Sequence, residues 1–70
     1  MKEKTLYDIF LIAIEKEREA QKLYEQAAKL SENNEKLRKR FLKFCDDEKH
    51  HEERLIKDYA EFKKTIKEKI

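Results

Sequence analysis

The chain runs through 70 residues without a single glycine or proline, and that absence limits its fold more than any residue present. Hairpins, tight turns and strand ends lean on those two residues. A chain with neither is directed toward long helices and an all-α fold. Charged residues make up 49% of it and apolar residues 39%, a balance that suits an exposed helix pair better than a compact globule. Charge at that density also occurs in disordered chains. The spacing of the apolar residues argues for order.

Leu6, Phe10 and Ala13 are followed by Ala20, Tyr24 and Ala27, and the position missing from the row is Glu17. A second row runs Leu37, Phe41, Phe44 and then Leu55, Tyr59, Phe62, Ile66, with Glu48 and His51 in its gap. Steps of three and four mark a helix stripe facing a core. Between the rows lies Ser31-Glu32-Asn33-Asn34, the one cluster of turn-formers. Asn34 suits an N-cap, and Glu35 suits the positive end of the helix dipole. The pattern predicts one domain over 1–70: helix 1 over about 5–30, a turn at 31–34 and helix 2 over about 34–68, antiparallel because the connection is short.

A chain this short seldom buries enough apolar surface alone and needs a metal, disulfides or a partner. Its only cysteine, Cys45, excludes an internal disulfide and a multi-cysteine zinc site and reads as a small buried filler. That leaves carboxylate and histidine ligation, and oligomerisation. A net charge of +2 lacks the concentrated basic charge of a nucleic-acid binder, so no nucleic-acid partner is expected. The longest apolar run, Ile9 to Ile14, is far short of the roughly 20 residues that span a membrane. The first residues lack the apolar core and cleavage site of a signal peptide. No membrane partner and a cytoplasmic location are expected.

Glu17, Glu48 and His51 thus occupy core-facing positions, where an unpaired charge is costly. Their placement is mutually consistent. Glu17 and Glu48 lie equally far from the centre of the turn, so in an antiparallel hairpin they share a height roughly 20 Å from it. His51 follows one turn along on the same face. One hairpin offers only two carboxylates and an imidazole. A two-fold axis at Glu17, perpendicular to the helices, would superpose two half-sites and supply four Glu and two His to two metal ions per dimer, the donor set of di-iron carboxylate bundles. Oxygen and imidazole donors suit iron, with manganese or zinc as other candidates. Asp47, beside Glu48, could orient a metal-bound imidazole, or simply be solvated; His50 points to the surface. The plainer alternative is a polar seam that sets helix register.

The segment Ala13-Ile-Glu-Lys-Glu17-Arg-Glu-Ala20-Gln-Lys-Leu-Tyr24, with Glu48-Lys-His-His51-Glu-Glu-Arg-Leu55 some thirty residues on, resembles the rubrerythrin branch of the ferritin-like superfamily. The resemblance covers roughly residues 10 to 60. It implies metal-binding carboxylates at Glu17 and Glu48, an imidazole ligand at His51 and a phenol near the site at Tyr24, for which simple packing is the alternative. A full rubrerythrin-like domain carries two such helix pairs, and this sequence has one, without the cysteine-rich module that supplies electrons in classical rubrerythrins. In this it is similar to encapsulated ferritins, whose site forms between subunits. The implied architecture is a two-helix hairpin that dimerises into a ferritin-like four-helix bundle. The implied function is a di-iron centre that reacts Fe(II) with O2 or H2O2, as a ferroxidase or a peroxidase. The rival is a non-enzymatic helical oligomerisation module with a structural or vestigial metal site.

Assembly beyond the dimer is also expected. Ile9-Phe10-Leu11-Ile12-Ala13-Ile14 is apolar all round. With Phe10 and Ala13 in the stripe, Leu11, Ile12 and Ile14 are left at least partly outward as a patch that monomers seldom expose. Helix 2 runs past the start of helix 1, which leaves Phe62 and Ile66 to reach a neighbour.

Overall fold

The computed structural model describes the backbone of residues 5–69 and the side chains of residues 5–65. Two α-helices, α1 over Leu6–Leu30 and α2 over Glu35–Lys69, account for nearly all of it. Both match the predicted spans to within about a residue at each end.

Each helix start is held by a side chain. Thr5 caps α1: its hydroxyl accepts from the Asp8 backbone N–H at 3.2 Å, and the Asp8 carboxylate accepts from the Thr5 N–H at 3.1 Å. This reciprocal box satisfies two of the donors that a helix start leaves open. Asn34 caps α2 with a single bond, its Oδ1 accepting from Leu37 N–H at 3.1 Å. At the end of α1, the Ser31 N–H is shared between the carbonyls of Ala27 and Ala28, and the Ser31 hydroxyl donates to Ala27 O at 2.8 Å. Asn34 N–H then reaches back to Ser31 O at 2.9 Å. No described residue has a positive φ, so the reversal needs no left-handed position and hence no glycine.

The helices run antiparallel in a hairpin measuring 56 × 28 × 10 Å. The shortest dimension is the width of one helix. The molecule is therefore a single layer, whereas a stable domain needs two. Its interior is correspondingly thin: among the described residues the buried apolar ones are Ile14, Ala28 and Cys45, and none falls below 2% exposure.

Burial resolves each predicted stripe into rows. On α1, Ile14 and Ala28 are buried and Gln21 half-buried; these form the row against α2. A row of half-buried alanines, Ala13, Ala20 and Ala27, lies one residue behind it. Phe10, Glu17 and Tyr24 run between the two rows. On α2, Arg38, Cys45, Glu52 and Tyr59 form the row against α1, Phe41, Glu48, Leu55 and Phe62 the central row, and Leu37, Phe44 and His51 an exposed row.

Two expectations are corrected here. Ile14 does not face outward; it is 7% exposed and packs in the hairpin seam, because that seam lies one residue to the side of the predicted stripe. Leu11 and Ile12 are exposed as expected. Phe62 is not left free: its ring lies 5.0 Å from Tyr7 and 5.4 Å from Phe10. Side chains lean toward the N-terminus of their helix. In this hairpin α1 side chains lean away from the turn and α2 side chains toward it, so each α1 residue meets α2 residues farther from the turn than its own height. Ile66 lies outside the residues whose side chains are described.

Candidate metal centre

The same lean brings the three central polar residues together. Glu17 shares its height with Glu48, but its side chain tilts toward the level of His51. One donor atom from each of the three residues lies within 4.8 Å of the other two. His51 Nδ1 is 3.7 Å from Glu17 Oε2 and 3.6 Å from Glu48 Oε2. Those separations suit an ion pair when the imidazole is protonated, but are too long for hydrogen bonds.

Burial is graded across the group. The carboxylates are about one-fifth exposed, at 23% for Glu17 and 22% for Glu48, while His51 is 50% exposed. Glu17 Oε2 is shielded from solvent and has no hydrogen-bond partner. A carboxylate oxygen in that position calls for a positive charge. A divalent cation among these atoms would supply it, and carboxylate with imidazole is a donor set that iron accepts. The residues therefore fit a metal. The ligand set is incomplete in one hairpin, and its open side is the exposed row that carries His51.

One turn away, the Glu52 carboxylate is gripped from the other helix. Its Oε2 accepts from Arg18 Nε at 2.8 Å and its Oε1 from Gln21 Nε2 at 2.6 Å. The bond from Arg18, reinforced by that from Gln21, holds the Glu52 carboxyl below its usual range; the same bond raises the Arg18 guanidinium. This cluster escaped the sequence reading because a polar residue on a charge-rich helix looks solvated. The available signal was spacing: Gln21 and Glu52 stand four residues beyond Glu17 and Glu48.

The other singled-out residues have defined surroundings. The Tyr24 ring lies 6.3 Å from Phe41 and 5.5 Å from Phe44, capping the turn-side flank of the site. The Asp47 carboxylate accepts from Lys43 Nζ at 3.1 Å along the outside of α2. His50 is exposed, its Nδ1 3.0 Å from Asp46 O. Cys45 is buried, its Sγ 3.6 Å from Gln21 O and 3.8 Å from Glu25 Oε1. Burial and then the Glu25 charge push its thiol up from the ordinary value.

A family model described as Rubrerythrin matches residues 8–70, including all three grouped residues. No curated protein and no solved structure matches the chain. No helix among the described residues is long and apolar enough to cross a membrane.

Proposed function

This chain belongs to the rubrerythrin family, and from that premise we propose that two copies pair into a four-helix bundle whose shared centre holds two iron ions. Glu17, Glu48 and His51 of each copy are the proposed ligands, and Fe(II) with O2 or H2O2 the proposed reactants. The observation that carries the reading is Glu17 Oε2: shielded, without a hydrogen-bond partner and grouped with Glu48 and His51.

The rows of the hairpin support the pairing. A two-fold axis perpendicular to the helices at the level of Glu17 sets α1 beside its own copy and α2 beside its own copy. Central residues then face the bundle axis, and the outer rows become interfaces. Ala13, Ala20 and Ala27 let the two α1 helices approach closely, while Leu37, Phe44 and His51 fill the wider gap between the α2 helices. The open side of each half-site is closed by the other, and four carboxylates balance two divalent ions.

The bound iron would supply the electrons for reducing the oxidant; the chain supplies geometry and shielding. Glu17 and Glu48 hold charge in a partly dry site where its attraction for a cation is strong. His51, on the exposed row, adds an imidazole that becomes enclosed only on pairing. Tyr24 with Phe41 and Phe44 on one flank, and Phe10 with Tyr59 and Phe62 on the other, limit water along the axis.

The test is anaerobic Fe(II) titration followed by O2 or H2O2, read by near-ultraviolet absorbance. Wild type is expected to take up two ions per dimer and to oxidise them quickly. Glu48→Ala and His51→Ala are expected to lose most of the uptake, since symmetry uses each ligand twice. Tight uptake with no oxidation would leave a structural metal site, and equal uptake by both variants would remove the site altogether.

A further inference from the structure

We infer that Glu52, gripped by Arg18 and Gln21, is a positioning residue that fixes the register of α2 on α1 so that Glu17 meets Glu48 and His51. The role in metal binding rests on the function proposed above; the role in register stands on the hairpin alone.

The seam between the helices is regular, and its deeply buried part is thin. Among the described residues, deep burial is confined to Ile14, Ala28 and Cys45, small or aliphatic side chains that slide past one another without a large penalty, and the rings that cross between the helices stand on the two flanks of the site. Register along such a repeat is set by polar residues that find partners in one alignment only. Glu52 has both of its partners in one alignment only. Both of its oxygens are engaged, by donors that lie on the opposite helix, three residues apart. Its side chain is 19% exposed, and because its two donors stand about one turn apart, a shift of one turn along α1 would put one donor in the other's place and leave one oxygen of a largely shielded carboxylate without a donor, a costly outcome. The turn sets the alignment from its own end, roughly 20 Å from the site. Glu52 fixes it within one turn of Glu48.

The consequence reaches the ligands through their narrow grouping. A displacement by one helical turn, about 5 Å along the axis, exceeds the 4.8 Å within which the three donor atoms lie. A hairpin sampling two alignments would present the assembled ligand set for only part of the time.

The experiment compares wild type with Glu52→Leu and Glu52→Gln. Two-dimensional NMR of the metal-free protein follows the ring contacts between Tyr24 and Phe44 and between Phe10 and Tyr59, 5.5 and 5.4 Å between centroids. Co(II) titration reads affinity and visible bands. Wild type is expected to show one set of ring cross-peaks. Glu52→Leu is expected to stay helical, to gain a second set and to bind Co(II) at least tenfold more weakly with altered bands. Glu52→Gln, which keeps an acceptor oxygen for one donor, should restore most of the single alignment. If Glu52→Leu does not fold, Gln21→Leu with Arg18→Gln removes the grip from the other helix and is read in the same way. A single unchanged set of cross-peaks after removal of the grip overturns the inference, whatever happens to Co(II). Wild type that shows one register and binds no Co(II) would overturn the metal reading and the role assigned to register within it, while the variants would still decide whether Glu52 sets that register.

Discussion

A shielded carboxylate oxygen without a donor costs about 1–3 kcal/mol, and Glu17 Oε2 is such an atom. Replacing Glu17 with Gln removes the buried charge and its repulsion of Glu48. The metal-free Glu17→Gln protein is therefore expected to melt higher than wild type, while Fe(II) raises the melting point of wild type more than that of the variant. Calorimetry with and without Fe(II) checks both halves. Cys45 gives a second residue-level test. Its thiol is pushed above its ordinary value by burial, so the unfolded chain loses that proton first as pH rises. The stabilisation is complete below the unfolded pKa and is lost as pH climbs through the folded one. Cys45→Ala should flatten the alkaline loss of stability, measured by denaturant unfolding across the alkaline range. In the folded protein Cys45 should react slowly with thiol reagents, being 4% exposed. The grouping of Glu17, Glu48 and His51 was legible in the sequence because each breaks an apolar row. Glu52 and Gln21 were not, because a polar residue in a seam has no such contrast with its neighbours.

At the scale of the helices, the ends were the clearest feature of the sequence. Asn34 and the polar cluster before it marked the turn, and the structure places the α2 cap there. The cap of α1 was not singled out from the sequence, although threonine followed three residues later by an acid, Thr5 and Asp8, is the pattern of a capping box. Thr5→Ala removes the hydroxyl acceptor and is expected to cost about 1 kcal/mol, seen as a lower thermal midpoint and faster amide exchange in the first turn of α1. The faces of the helices were harder to read. A single stripe found the central residues Phe10, Glu17 and Tyr24 but merged the rows on either side. Those rows are offset by one residue, and only contacts with α2 distinguish Ile14 in the seam from Ala13 on the open side. Periodicity reports that a face is apolar; it does not say which neighbour the face meets.

As a whole the molecule is one layer of helix, 10 Å thick, with Leu6, Leu11, Ile12, Leu37 and Phe44 exposed. A layer so thin leaves too much apolar surface in water to offset the ordering of its chain. Sedimentation at micromolar concentration is expected to give a dimer or larger species, and a folded monomer would count against the shared centre. Leu11 and Ile12 lie outside the rows that the two-fold pairing covers, so light scattering should show mass above the dimer that falls in Ile12→Lys.

The rings that flank the site also determine how the protein can be watched. The chain has no tryptophan and three tyrosines, and all three sit in those ring clusters: Tyr7 and Tyr59 on one side, Tyr24 on the other. Tyr24 is seven residues from Glu17, about 10 Å along the helix. Native fluorescence therefore comes wholly from the two flanks of the candidate centre, with no emitter elsewhere to dilute it. Light emitted by the unlabelled protein is a report from beside the proposed ligands, and a quenching ion that settles among them would announce its own arrival.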